Sequence, residues 1–168
     1  VEVAHQQQAE VIVTVDSGIA CLAGTSRAKA LGMQVVITDH HLPGNTLPDA
    51  DAIVNPNQGS CAFLSKNLAG VGVAFYLMLA LRAHLRSSDW FAQRQLAEPK
   101  LAELLDIVAL VTVADVVPLD YNNRILVHQG LQRIRSDKCR PGIQAMIDVA
   151  GKDRTRMVAT DLGFVLGP

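Results

Sequence analysis

Two short β-branched runs without polar alternation constrain this chain most: Val11-Ile12-Val13-Thr14-Val15 and Gln34-Val35-Val36-Ile37-Thr38. A strand with one wet face alternates apolar and polar residues, so runs like these are expected to be buried on both faces, as parallel strands are. Between them Ile19, Leu22, Ala23, Ala28 and Leu31 recur at roughly helical spacing, with Ser17 as the expected N-cap and Gly32 as the expected C-cap. Strand, helix and strand in that order make a βαβ crossover, whose handedness rule sets the two strands parallel. Asp16 and Asp39, each following its strand, then share the carboxyl edge of one sheet, where open α/β sheets place their ligand sites.

A Pro- and Gly-containing loop from Leu42 to Asp51 leads to a short third strand, Ala52-Ile53-Val54, closed by Asn55-Pro56-Asn57. Helical patterning dominates beyond it. Gly70 to Leu85 reads as a long apolar helix, with Gly70 and Gly72 permitting close packing at its start. Glu98-Pro99 opens another helix at about Lys100, which runs through Leu101, Leu104, Leu105, Val108 and Leu110. Asn122 or Asn123 is expected to cap an amphipathic helix carrying Ile125, Leu126, Leu131 and Ile134, and Pro141 to Val149 is expected to be the last, short helix. The expected class is α/β: a parallel sheet flanked by helices, with a C-terminal helical part. Its expected division is a βαβ core over about residues 1–57 and a mainly helical remainder over about 68–168.

Composition narrows the function. With 168 residues, 49% of them apolar, the chain can bury a core of ordinary size, and 15 basic against 16 acidic residues argue against a polybasic nucleic-acid binder. Any nucleic-acid site must be local. The most apolar runs, Val71 to Leu81 and Leu104 to Ala114, are about 11 residues long and too short for a bilayer. Cys21, Cys61 and Cys139 are irregularly spaced, so neither a disulfide framework nor a CxxC zinc pair is read, and the cytoplasm is the natural compartment. A start at Val1 and an end at Gly167-Pro168, directly after an apolar stretch, lead us to expect a fragment of a longer protein.

Asp16-Ser17-Gly18 by itself reads as a cap and turn. Asp39-His40-His41 says more, because two adjacent imidazoles behind a carboxylate at a strand end are costly unless they bind something, and Asp with His is ligand chemistry for Mn, Fe and Zn. Asp115 interrupts the apolar run Ala109 to Leu119, where a carboxylate either needs a neutralising cation or caps a helix C-terminus. Such groups at the ends of separate elements suit a metal-assisted hydrolase. Arg133, Arg135, Lys138 and Arg140 read as a solvated helix end, His84 and His128 as structural or exposed, and Trp90 and Phe91 as packing a loop onto the core. His5 lies in a polar start expected to be unsettled.

Val13-Thr14-Val15-Asp16-Ser17-Gly18, Thr38-Asp39-His40-His41-Leu42-Pro43 and Thr112-Val113-Ala114-Asp115-Val116-Val117-Pro118-Leu119 resemble the second, third and fourth motifs of the DHH phosphoesterase superfamily. Asn55-Pro56, the stretch from Lys66 to Phe75 and Asn122-Asn123-Arg124 are similar to its RecJ branch, the 5′-to-3′ single-strand-specific DNA exonucleases of repair and recombination. The resemblance implies a two-metal site using Mn2+ or Mg2+, with Asp16 as bridging ligand, His40 and Asp115 as further ligands, His41 facing substrate phosphate, and Asp39 holding an imidazole in one tautomer. It implies single-stranded DNA as substrate and single-strand-binding protein as a partner. Its first, aspartate-rich motif has no counterpart here, and Gly163 to Pro168 resembles only the approach to its C-terminal domain, so the chain alone is expected to be inactive. Val111 stands where the family commonly has Gly. The same metal chemistry would serve a phosphatase of oligonucleotides or nucleotide bisphosphates, and a silent replication scaffold is the non-enzymatic alternative.

Overall fold

The computed structural model describes residues 1–167, so Pro168, the end of the stretch resembling a domain approach, lies outside the described residues. The chain divides into two compact units, Val1–Ala74 and the residues from Phe75 onward. The first opens with a short helix α1 (Glu2–Gln6), where an unsettled start was expected; Arg27 Nε donates to Glu2 Oε1 at 2.6 Å and ties it down. Then follow β1 (Val11–Val15), α2 (Leu22–Ala30), β2 (Gln34–Thr38) and β3 (Ala52–Val54), which form a sheet in the order β1-β2-β3 with both pairings parallel. The expected α/β class, parallel sheet and crossover are therefore present.

Two local expectations differ. Helix α2 starts at Leu22 rather than being capped by Ser17, because Gly18 (φ +115°) turns the chain and Cys21 N closes the turn onto Gly18 O at 2.9 Å. Gly32 does follow the helix end in the left-handed region (φ +79°). The other difference is β1, which is not buried on both faces: Val11, Val13 and Val15 are 46–54% exposed. Strand β1 is the sheet edge among the described residues, and only its Ile12 side joins the core of Ala28, Met33, Val35 and Ile37. Strand β2, the central one, behaves as its apolar run predicts, with Ile37 fully buried and contributing about 1.5–3 kcal/mol.

Helix α3 (Gly70–Ser87) continues the chain, followed by α4 (Trp90–Gln93), a 3₁₀ turn Leu101–Leu104, α5 (Leu105–Ala114), α6 (Tyr121–Arg135) and α7 (Pro141–Val149). Short helical turns follow α7 as far as Leu166, so it is not the last element. The cap of α6 is Asp120, whose side chain accepts from Asn123 N at 3.1 Å, while Asn123 itself is buried and donates to Pro118 O at 2.8 Å. The core of this unit joins Ala109, Val127, Leu131, Ile134, Ile143, Ile147, Met157 and Leu162.

The basic residues near the end of α6 are not simply a solvated helix end. Asp106 is fully buried and accepts from Arg140 N (2.7 Å), Arg140 Nη2 (3.1 Å) and Ile107 N (2.8 Å), while Arg135 Nε donates to Met157 O at 2.8 Å. Arg133 Nη2 donates to Lys138 O at 3.0 Å, and Lys138 is exposed. His84 and His128 are exposed, and Trp90 and Phe91 are half-buried with their rings edge-on at 5.3 Å. Among the described residues no helix is long and apolar enough to cross a membrane.

Candidate metal centre

Register builds the site. Val15 pairs with Thr38 and Thr38 with Val54, so the next residue of each strand, Asp16, Asp39 and Asn55, emerges at the same carboxyl edge. Asp16 takes a left-handed backbone (φ +61°), which a short polar side chain tolerates better than most. The turn behind it is stapled by Thr14 Oγ1, which donates to Ser17 O at 2.7 Å, and by Ile19 N, which donates to Asp39 Oδ2 at 2.8 Å. Asp-Ser-Gly thus forms the loop that aims the Asp16 carboxylate, and caps no helix.

Asp39 is buried and accepts four hydrogen bonds: from Ile19 N, His40 N (2.7 Å), His41 N (3.1 Å) and His41 Nδ1 (2.7 Å). Burial works to raise its pKa, but the hydrogen bonds from Ile19 and the two histidines together outweigh it and hold the carboxyl below its ordinary value of 3.8. An ionised carboxylate only accepts, so His41 Nδ1 carries the proton of this bond. His40 is turned the other way: its Nε2 stands 3.0 Å from Asp16 Oδ1. One ligand atom from each of Asp16, His40 and His41 lies within 4.8 Å of the others, and the two imidazole centroids are 4.4 Å apart. A carboxylate with imidazoles is a donor set suited to Mn, Fe or Zn.

Two residues support this set that the sequence reading placed in a strand terminator, Asn55 also in a RecJ-like stretch, without a site role. Asn55, buried, donates Nδ2 to His41 O at 2.9 Å, and Asn57 donates Nδ2 to His40 O at 2.6 Å. Asn57 N in turn donates to Asn55 Oδ1 at 2.8 Å, so one Asx turn grips the peptide of both histidines. Lys66 Nζ holds that loop through Pro56 O and Cys61 O, both at 2.6 Å. The available signal was positional, since Asn55 follows β3 just as Asp39 follows β2. In front of Asp16 and His41 opens a cleft of about 330 Å³, lined by residues 16–21 with Asp39 and His41.

Asp115 belongs to the second unit. It is the C-cap residue of α5 (φ −74°, ψ −4°) and exposed, so burial among apolar side chains does not force its neutralisation; the helix-end alternative describes its local setting. Val116 follows in the left-handed region at φ +57°.

A family model described as "DHH family, N-terminal domain" matches residues 2–112. Proteins named single-stranded-DNA-specific exonuclease RecJ are similar over nearly the whole chain. That of Dickeya dadantii is 67% identical over 95% of this chain and 28% of its own length, and that of Escherichia coli is 62% identical over 100% and 29%. The chain therefore spans under a third of the curated relatives it matches. Among solved structures, exonuclease RecJ bound to manganese matches with a TM-score of 0.75 at 30% identity, covering all of this chain and 40% of that one. RecJ of Thermus thermophilus in complex with Mn2+ matches at 0.73 and 31%, covering 98% and 22%.

Proposed function

The chain belongs to the DHH family, and from that premise we propose that it forms part of the catalytic core of a metal-dependent exonuclease that hydrolyses single-stranded DNA from the 5′ end in repair and recombination. The observation that carries the reading is the gathering of Asp16, His40 and His41 ligand atoms at the carboxyl edge of the sheet. RecJ relatives at 62–67% identity and RecJ structures holding manganese support it. The proposed metal is Mn2+ or Mg2+, held by the Asp16 carboxylate and His40 Nε2. Asp115 is proposed as a further ligand on motif similarity alone.

When bound, such a metal pair lowers the pKa of a water and offsets charge on the phosphoryl oxygens. The chain's own groups bind and orient. His41, fixed by Asp39 through Nδ1, lines the cleft as the group proposed to meet substrate phosphate. Asn55 and Asn57 hold the two histidine carbonyls and so the spacing of the rings. The setting is proposed as the cytoplasm, with single-strand-binding protein as a partner on family resemblance alone.

Mn2+ titration followed by electron paramagnetic resonance tests the assignment. The chain is expected to bind one ion weakly, Asp16→Ala to lose it and His84→Ala to keep it; undiminished binding in Asp16→Ala overturns the metal assignment. In a polypeptide of the relatives' full length carrying these residues, 5′-phosphorylated single-stranded DNA should be digested and Asp16→Ala should lose activity by orders of magnitude. Hydrolysis confined to very short oligonucleotides would favour the phosphatase reading.

A further inference from the structure

We propose that Gly70 is a positioning residue for Asp16: the absence of a side chain at the first residue of α3 allows the Asp16 carboxylate to stand against His40. The proposal rests on the metal reading above. A Cβ built on Gly70 would lie 2.5 Å from Asp16 Cγ and 2.6 Å from Asp16 Cβ, and it would overlap Oδ1 as well. These are separations that non-bonded carbons do not tolerate. The wall behind the carboxylate is thus helix backbone.

Which partner gives way follows from burial. Gly70 is buried, and its neighbours Leu68, Ala69 and Val73 are at most 2% exposed, with Val73 N bonded to Ala69 O at 3.1 Å. The start of α3 is therefore seated in the core and cannot retreat without opening it. The Asp16 side chain is 48% exposed and has water to move into. Its freedom is otherwise narrow: the Thr14–Ser17 staple and the Ile19–Asp39 bond hold the turn on either side of it, His40 Nε2 stands 3.0 Å from Oδ1, and Gly70 closes the remaining side. A methyl group at position 70 swings Cγ and Oδ1 away from His40, and because Cβ is also too close, it displaces the left-handed backbone of Asp16. The consequence falls on the donor set, since a carboxylate that leaves its imidazole no longer shares an ion with it.

The experiment uses the 168-residue chain and Gly70→Ala with two readouts. In the metal-free protein, the side-chain 15N resonance of His40 Nε2 reports its contact with Asp16, and it is expected to shift in Gly70→Ala while His41 Nδ1, held by Asp39, stays in place. Mn2+ affinity by electron paramagnetic resonance is expected to fall by about tenfold or more, the usual effect of removing support from a metal ligand. Unmoved His40 resonances with undiminished Mn2+ affinity overturn the proposal. Should the unsubstituted chain bind no Mn2+, the metal reading fails, while the His40 resonance still decides whether Gly70 sets Asp16. A double-mutant cycle covers poor folding of the variant: adding Asp16→Gly removes the struck atoms, so Gly70→Ala should lower the melting temperature in the original chain and far less beside Asp16→Gly. Equal losses in both backgrounds also overturn the proposal.

Discussion

Replacing Asp39 with Asn keeps the shape of the most heavily bonded side chain at the sheet edge and removes its charge. Asp39 Oδ1 accepts from both histidine amides and from His41 Nδ1, while Oδ2 accepts from Ile19 N. An Asn side chain has one acceptor oxygen. Turned toward the histidines, it sets its own NH2 against Ile19 N–H and orphans a buried donor, at about 1–3 kcal/mol. The remaining bonds lose their ionic partner, which costs about 1 kcal/mol more. Asp39→Asn is therefore expected to destabilise the chain by about 2–4 kcal/mol in urea unfolding followed by circular dichroism. The pH dependence has a definite sign. Since the folded pKa of Asp39 is depressed, its contribution is present above the ordinary carboxylate range and is lost as pH falls through the depressed folded value. The original chain should lose stability on acidification more steeply than Asp39→Asn. A change below 1 kcal/mol, or parallel acid profiles, would refute the claim that this carboxylate organises the edge.

Two further outcomes follow from the second unit. Asp106→Ala strips the partner from Arg140 and orphans the Arg140 and Ile107 amides, so a loss of about 3 kcal/mol is expected by urea unfolding, with Asp106→Asn milder. Val116→Gly relieves a β-branched residue at φ +57° that is 85% exposed; strain of about 1–3 kcal/mol against about 0.5–1 for the entropy of Gly should leave the variant more stable by about 1 kcal/mol, and a lowered melting temperature contradicts that expectation.

Sheet direction and the site's edge were legible because both depend on local pattern. Two unalternated runs joined by a helical stretch admit little besides a parallel crossover, and parallel strands put Asp16 and Asp39 at one edge whatever the rest of the chain does. Burial of β1 was not legible, since a β-branched run reads alike for a central strand and for an edge strand with one face uncovered; which it becomes depends on what lies beside it. Helix starts failed for a related reason. Ser17 and Asn123 both have capping chemistry, but Ser17 is used up in a turn that Gly18 reverses, and Asn123 sits three residues inside the helix that Asp120 caps.

The residues that hold the candidate ligands were harder to see than the candidate ligands themselves. Asp, His and His are conspicuous because they are expensive beside apolar strands, whereas Asn55 and Asn57 are ordinary turn formers, and only the β2–β3 register reveals that their amides fall under the carbonyls of His41 and His40. Gly70 is quieter still, because its contribution is an atom that is missing. The Asp106–Arg140 pair joins residues 34 apart in the chain, a separation at which no periodicity links two charges, so Arg140 looked solvated until the fold brought it to a buried acid. Asp115 shows the opposite error. Apolar neighbours in sequence suggested burial, yet α5 ends at Ala114 and leaves the carboxylate exposed at the helix end.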